Sequence, residues 1–244
     1  RGPLDRAIAQ GLLKVHGDRA WRWLDPTLLD LELAYADTLD RLKPDLIHAN
    51  DFRTLGVAAR AKMRAKARGR DVKLVWDAHE YIAGVNPWQP NPRWLPAQIA
   101  HEREYAPYAD AVVTVSEQLG ELLMADYNLP TPPTIVMNCP VSTAFHDEAT
   151  GRTLRADLGV GADVPVMVYS GSAREARGVG VMVEALPALP GVVCAVVVSN
   201  TTSDYIQSLA ARAAKLGVAD RFKAVPHVPA AGVPGYLSQA TVGV

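Results

Sequence analysis

The chain has almost no cysteine, no excess of either charge and no long apolar run, and each lack removes a class of protein. Its 244 residues hold two cysteines, Cys139 and Cys194. Two thiols cannot build a disulfide framework, so both are expected to be reduced and buried, in a cytoplasmic protein. Lys and Arg number 25 against 26 Asp and Glu, a net charge of −1. A chain so balanced has no summed field to favour nucleic acid or an acidic substrate. No apolar stretch approaches the ~20 residues that span a bilayer, and no signal peptide is visible, so no transmembrane segment is expected. With 49% hydrophobic and 21% charged residues, the composition excludes a disordered chain.

Familiar catalytic signatures are missing too. There is no Gly-x-Gly-x-x-Gly and no Gly-x-x-x-x-Gly-Lys-Ser/Thr phosphate loop. In His101-Glu102-Arg103-Glu104-Tyr105, the tyrosine stands where a zinc-binding His-Glu-x-x-His needs its second histidine. No metal site is therefore expected.

What is present is a regular alternation of strand and helix patterns. Asp25-Pro26 supplies a capping aspartate and a proline suited to a first helical turn, followed by a stripe at Leu28, Leu31, Tyr35, Leu39 and Leu42. Short apolar runs at 45–49, 72–76, 111–115 and 134–137 read as strands, separated by helices over 54–67, 98–105 and 116–127. After residues 139–162, which have no period, strands recur at 164–170, 192–199, 221–225 and from 241. Helices recur at 179–189, 203–216 and 230–239. This pattern predicts an α/β protein with two parallel sheets, each covered by helices on both faces. The expected organisation is a first domain over 1–143, a linker over 144–163 with a short helix at 152–158, and a second domain over 164–244.

Two segments stand apart from this pattern. Residues 60–70 carry Arg60, Lys62, Arg64, Lys66, Arg68 and Arg70. They are expected to be a solvated helix face, with peripheral contact to an anionic membrane or a polyanion as the alternative. Residues 86–96 hold four prolines and two tryptophans, and are expected to form a lid or packed surface loop.

The most informative stretch begins with the strand pattern Pro165-Val166-Met167-Val168-Tyr169. Ser170-Gly171-Ser172-Ala173-Arg174-Glu175-Ala176-Arg177-Gly178 follows, and then an apolar stripe at Val179, Met182, Val183, Leu186 and Leu189. A glycine admits close approach of the backbone to a ligand, and a helix start with arginines beside it suits phosphate oxygens. The junction predicts a diphosphate site; the alternative is a solvated loop with two surface arginines.

In open parallel sheets, ligands bind beyond the carboxyl ends of the strands. The first half places polar residues there each time: His48, Asn50 and Asp51; Asp77, His79 and Glu80; Ser116; Asn138. Each has a plain alternative, because strand-to-helix loops need caps and turn formers, and Ser116 is first of all a helix cap. Asp77-Ala78-His79-Glu80 points to a hydrogen-bonding pocket for a polyhydroxylated substrate, against a histidine that merely closes a turn.

Taken in order, eight segments resemble the motifs of the family-4 retaining glycosyltransferases over about residues 40–244. They are His48-Ala49-Asn50-Asp51, Asp77-Ala78-His79-Glu80, Ala109-Asp110-Ala111-Val112-Val113-Thr114-Val115-Ser116-Glu117, Ile135-Val136-Met137-Asn138, Tyr169-Ser170-Gly171, Arg177-Gly178, Pro226-His227-Val228-Pro229 and Tyr236-Leu237-Ser238-Gln239-Ala240-Thr241-Val242-Gly243-Val244. The resemblance implies two Rossmann-like domains in the GT-B arrangement. The first would take an acceptor (a glycan, lipid or small molecule) and the second a nucleotide diphosphate sugar, with hexosyl transfer in the cleft between them. No cofactor and no nucleic-acid partner are implied. By the same resemblance His79 faces the donor sugar and Arg177 grips the donor diphosphate. Gly171, Ser172, Arg174, Asn200, His227 and Val228 bind donor, the last two through backbone. Asp51, Asp77, Glu80, Ser116 and Asn138 line the sugar and acceptor side, and the 86–96 loop helps to set acceptor choice.

Departures from the family pattern are specific. Ser172 stands where members often carry a basic residue, with Arg174 as its substitute, and Ser199-Asn200 replaces a glycine at the end of the second donor-domain strand. The family's paired glutamates and its glycine-rich first loop would fall outside residues 1–244. An internal portion of a longer enzyme is therefore expected, without the first strand and with an incomplete second domain. Two alternatives stay open. One is a non-hydrolysing nucleotide-sugar epimerase using Asp77 and Glu80 as acid and base. The other is a degenerate, non-catalytic protein that binds a sugar nucleotide or a partner.

Overall fold

Both halves are built on a parallel four-stranded sheet, as the repeated strand–helix pattern requires. In a computed structural model of the chain, residues 2–85, 91–139 and 151–244 are described. They form two compact units, Arg1–Asn138 and Cys139–Val244. Among the described residues, no helix is long and apolar enough to cross a membrane.

The first unit opens with helices for which the sequence pattern offered no prediction: α1 (Gly2–His16) and, after a 3-10 turn, α2 (Trp21–Leu24). Then follow α3 (Thr27–Leu42), β1 (Leu46–Asn50), α4 (Phe52–Ala67), β2 (Lys73–Asp77), α5 (Trp94–Tyr105), β3 (Ala111–Thr114), α6 (Glu117–Tyr127) and β4 (Thr134–Ile135). The sheet order is β1-β2-β3-β4, all parallel. Trp21, Leu55, Leu74, Trp76, Tyr105 and Leu123 lie at its core. Of the proline-rich loop, residues 86–90 lie outside the described residues. Its end is already helical, because α5 starts at Trp94 and accepts Pro96 in its first turn, where a missing N–H costs nothing.

The apolar stripe predicted for α3 is not the face that it buries. Leu28 is buried, but Tyr35 and Leu42 are exposed, and Glu32 is buried in their place. The Glu32 carboxylate has partners inside: Arg60 Nε at 3.2 Å, His101 Nε2 at 3.3 Å and the Tyr105 hydroxyl at 3.4 Å. A buried charge persists only where such partners gather. Gly56 on α4 makes the room, since a Cβ there would stand 2.3 Å from His101 Nε2.

The basic face of α4 is largely matched by acids. Lys62 pairs with Asp110 at 2.5 Å, Arg64 and Arg68 with Asp40 at 2.9 and 2.8 Å, and Arg70 with Asp45 at 3.4 Å. The run thus presents little unmatched positive charge, which suits the solvated face better than an anionic surface.

In the second unit come α7 (Leu154–Leu158), β5 (Val166–Ser170), α8 (Gly180–Ala185), β6 (Val193–Val198), α9 (Asp204–Lys215), β7 (Phe222–Pro226), α10 (Val233–Leu237) and β8 (Val242–Gly243). Residues 140–150, which include the start of the predicted linker, lie outside the described residues. Beyond them, α7 buries Leu154 and Leu158 in this unit's core. Strand β6 is buried along its whole length. Cys194, Val196 and Val198 face one apolar cluster, and Val193, Ala195 and Val197 face the other. A strand covered on both sides reads as a continuous apolar run for this reason. Burial pushes the Cys194 thiol up to about 12, so it is an inert core group. Cys139, by contrast, is exposed and not buried as expected.

The strand order of this second sheet is β7-β6-β5-β8, all parallel. From β5 the chain moves to one side for β6 and β7, then returns to the other side for β8. The order reverses at β5, and its carboxyl end is the place where an open parallel sheet leaves a crevice for a ligand.

Candidate functional site

The loop with the glycine and the arginines leaves that reversal point directly. Gly171 has φ 144°, a backbone state closed to most side chains, and a Cβ there would approach the Tyr169 hydroxyl to 3.3 Å. Its N–H donates to Val197 O at 3.1 Å, which ties the start of the loop to β6. The Tyr169 hydroxyl donates to Ser172 O at 3.0 Å, and Arg174 Nε donates to Ser172 Oγ at 3.0 Å. Ser172, which stands where a basic residue was expected, therefore anchors one.

Arg177 follows in a 3-10 turn, Glu175–Arg177, and is exposed. Here the structure corrects the expected helix over 179–189. Only Gly180–Ala185 is α-helical, and Pro187 turns the rest into the 3-10 turn Leu186–Ala188. The positive character of the loop thus rests on its arginines more than on a long helix dipole.

The other residues that the resemblance assigns to the donor sit at neighbouring strand ends. Asn200, just beyond β6, closes a turn by accepting from the N–H and hydroxyl of Thr202 at 3.0 and 2.9 Å. His227 follows β7 exposed, its N–H on Val198 O at 3.1 Å, whereas the Val228 side chain is in the core.

In the first unit, register places Asn50 beside Asp77 and Asp77 beside Val113, so the strands end level. Asp77 lies between two histidines, with His79 Nδ1 3.5 Å from Oδ1 and His48 Nε2 3.9 Å from Oδ2. A carboxylate at Nδ1 directs the opposite nitrogen, Nε2, away from it. Asp51 joins them through its N–H, which donates to Asp77 O at 3.1 Å. Its backbone has φ 79° and ψ 162°, a region that costs a non-glycine residue about 1–3 kcal/mol, and its carboxylate accepts the Phe52 N–H at 2.6 Å. Strain of this kind gathers at functional loops. Ser116 caps α6 by accepting the Leu119 N–H at 3.2 Å, while Glu80 and Asn138 are exposed.

The structure therefore brings together Asp77, His79 and Asp51, and adds His48, a strand-end polar residue to which the resemblance gives no separate role. Alternation along β1, with His48 and Asn50 two apart, was the available signal. Thr114, within the 109–117 segment, carries no polar role that its local pattern would announce. Among the described residues, no three His, Cys, Asp or Glu side chains are arranged to hold a metal.

Helix α5 adds a buried titratable group, Glu102. Burial chiefly pushes its carboxyl up to about 8. The Asp51, Asp126 and Glu80 carboxylates add to the rise, against the Tyr127 hydroxyl that donates to it. Folded Glu102 keeps a proton that the unfolded chain, with a value of 4.5, releases. Stability therefore falls as pH rises from about 4.5 to about 8 and is level above that. Glu102→Gln is expected to abolish the fall. In thermal melts its advantage over wild type should be small near pH 5 and grow toward pH 8, and parallel curves would contradict a carboxyl titrating in this range.

A family model described as Glycosyltransferase Family 4 matches residues 6–145, a segment that contains His48, Asp51, Asp77, His79, Ser116 and Asn138. No curated protein sequence matches the chain. Among solved structures, sucrose-phosphate synthase from Thermosynechococcus elongatus superposes with TM-score 0.64 at 18% identity, over 89% of this chain and 54% of that one. HepE from Anabaena, in complex with UDP-glucose, superposes with TM-score 0.61 at 19% identity, over 91% and 57%. A UDP-N-acetylglucosamine 2-epimerase gives TM-score 0.52 at 14% identity, over 90% and 55%. The chain spans about half the length of these structures, and likeness at such identity concerns the fold: α/β, with two Rossmann-like units on parallel sheets, as in GT-B glycosyltransferases. With the family model covering more than half of its residues, the chain belongs to glycosyltransferase family 4.

Proposed function

We propose that this chain serves a retaining hexosyltransferase that moves a sugar from a nucleotide diphosphate donor to an acceptor hydroxyl on a glycan, lipid or small molecule. One coincidence carries the reading. In the second unit the point where strand order reverses, the glycine at φ 144° and two arginines within the next six residues all fall together. Together they suit an anion at the place where a parallel sheet binds nucleotides. UDP-glucose bound to the similarly folded HepE supports the donor class.

The chemical task is to stabilise charge that builds on the departing diphosphate. Arg177, with Arg174 and loop N–H groups, takes that role through forked, charge-assisted bonds. The bond from the sugar's anomeric carbon to phosphate oxygen breaks, and a bond from that carbon to the acceptor oxygen forms on the same face. The acceptor's proton passes to the leaving phosphate. His79, oriented by Asp77, holds a sugar hydroxyl through Nε2 and is not the base. Asp51, Glu80, Ser116 and Asn138 form the polar sugar and acceptor side, while Asn200, His227 and the Val228 backbone meet the nucleotide. A cytoplasmic setting for the reaction is supported by the free, exposed Cys139 thiol, which a reducing compartment would keep unpaired.

The test is a thermal-shift series with UDP, GDP, ADP and their sugar conjugates. A ligand at a hundred times its Kd stabilises by about 2.7 kcal/mol. One nucleotide family is expected to raise the melting temperature and to fail with Arg177→Ala. No shift with any of them would favour a degenerate, non-catalytic protein. The epimerase reading has its own support in the 2-epimerase fold, and products separate it: an isomerised nucleotide sugar, against free nucleotide plus glycoside.

A further inference from the structure

Thr114 ends β3, and the two halves of its side chain touch different partners. Its hydroxyl donates to Ala78 O at 2.6 Å. Its methyl faces α6, where a Cβ on Gly120 would lie 3.7 Å from it. The residue is wholly buried. On the same stretch the Asp51 N–H donates to Asp77 O, and the Ala78 N–H donates to Val113 O at 2.8 Å. Each backbone polar group from the Asp77 carbonyl to the Ala78 carbonyl is therefore held by a neighbouring segment. The last of these bonds comes from a side chain, because β3 has ended. His79 is the next residue, and its 3.5 Å approach to Asp77 depends on where the peptide between 78 and 79 lies.

We propose that Thr114 is a positioning residue for sugar transfer: its hydroxyl fixes the peptide that carries His79, and with it the direction of Nε2. The consequence for transfer rests on the reading of His79 as the group that faces the donor sugar, but the clamp can be tested with no donor present. Thr114→Val keeps the methyl packing and removes the hydroxyl. Thr114→Ser keeps the hydroxyl and removes the methyl. A structural role alone would rank the two by stability. A positioning role ranks them by what happens to His79.

The measurement is nitrogen–proton NMR of the His79 ring in the unliganded protein, assigned against His79→Gln, with thermal melts alongside. Thr114→Val is expected to shift the tautomer balance of His79. Thr114→Ser is expected to leave its signals in place although its melting temperature falls. With UDP and UDP-glucose as probes, Thr114→Val keeps its affinity for UDP and loses about tenfold for UDP-glucose, within the range that misplacement of a contacting group costs. Unchanged His79 signals in the valine variant, or equal changes in both variants, overturn the clamp. If the valine variant does not fold, the serine variant decides: displaced His79 signals overturn the proposal and wild-type signals uphold it. If His79→Gln binds UDP-glucose as wild type does, the sugar-facing role of His79 fails, while the NMR result still decides the clamp.

Discussion

Arg177→Ala is expected to lower sugar transfer by about a hundredfold or more, the usual scale for removing one donor aimed at developing charge. The residue is exposed in a short 3-10 turn, where it supports no core packing. Its loss should therefore leave the melting temperature of the free protein nearly unchanged, as exposed substitutions away from caps and cores do. That separates a functional from a structural effect. Charge on the diphosphate is greatest as the bond to the sugar breaks, so the loss should appear in kcat more than in KM. Arg177→Lys keeps the charge but not the planar fork, and should recover only part of the rate. Initial rates of nucleotide release at saturating donor would show this. Full activity in the alanine variant would remove Arg177 from the site and leave Arg174 to be examined alone.

The largest expected effect on stability is at a glycine. In a helix interior, Gly→Ala ordinarily stabilises by about 1 kcal/mol. Gly56→Ala should do the opposite, because the new Cβ would stand 2.3 Å from His101 Nε2, 2.4 Å from Glu32 Oε1 and 2.8 Å from a Tyr105 ring carbon. None of these is a flexible chain end in solvent; all three belong to one buried network. Overpacking costs about 1–3 kcal/mol, and parting a buried charge from its partners costs about 3–5 kcal/mol. A net loss of about 3 kcal/mol or more is expected, a drop of roughly 10 °C for a unit of this size. Tryptophan fluorescence reads it cleanly, since all five tryptophans lie within the first unit, Arg1–Asn138. Gly11 on α1, with nothing within 4 Å of its Cβ position, is the control, and there alanine should stabilise. A melting temperature for Gly56→Ala at or above wild type would mean that the network yields without cost.

The alternation of short apolar runs with helical stripes was enough to assign two parallel sheets, because side-chain periods are local properties of the chain and strands separated by helices pair in parallel. Strand β6 shows why: a strand covered on both faces must be apolar at every position, and 193–198 is. Polar residues at strand ends marked Asp51, Asp77 and His79 for the same reason, since the edge where a sheet stops is where a ligand can reach it. The helix cap at Ser116 was legible as well, accepting an N–H from the first turn of α6, whereas the expected Asp25 cap is not made: α3 starts at Thr27 with Pro26 at its N-cap and no side-chain bond there.

Other features existed only once distant segments met. The α3 stripe predicted Tyr35 and Leu42 inside, and the fold buried Glu32 there, because its partners arrive from α4 and α5. No local pattern announces a carboxylate whose compensating groups lie 28 to 73 positions away. Asp51 adopts a glycine-like backbone because its N–H bonds to the end of β2 while its carboxylate caps α4. Thr114 touches Ala78 across 36 positions, and the reversal at β5 is a matter of strand order, which periodicity does not encode. Local period decides which residues form strands and helices. Which buried polar groups are satisfied, and where a sheet opens to a ligand, is decided only by which strands become neighbours, because a hydrogen bond or ion pair acts over a few ångströms of space whatever the distance along the chain.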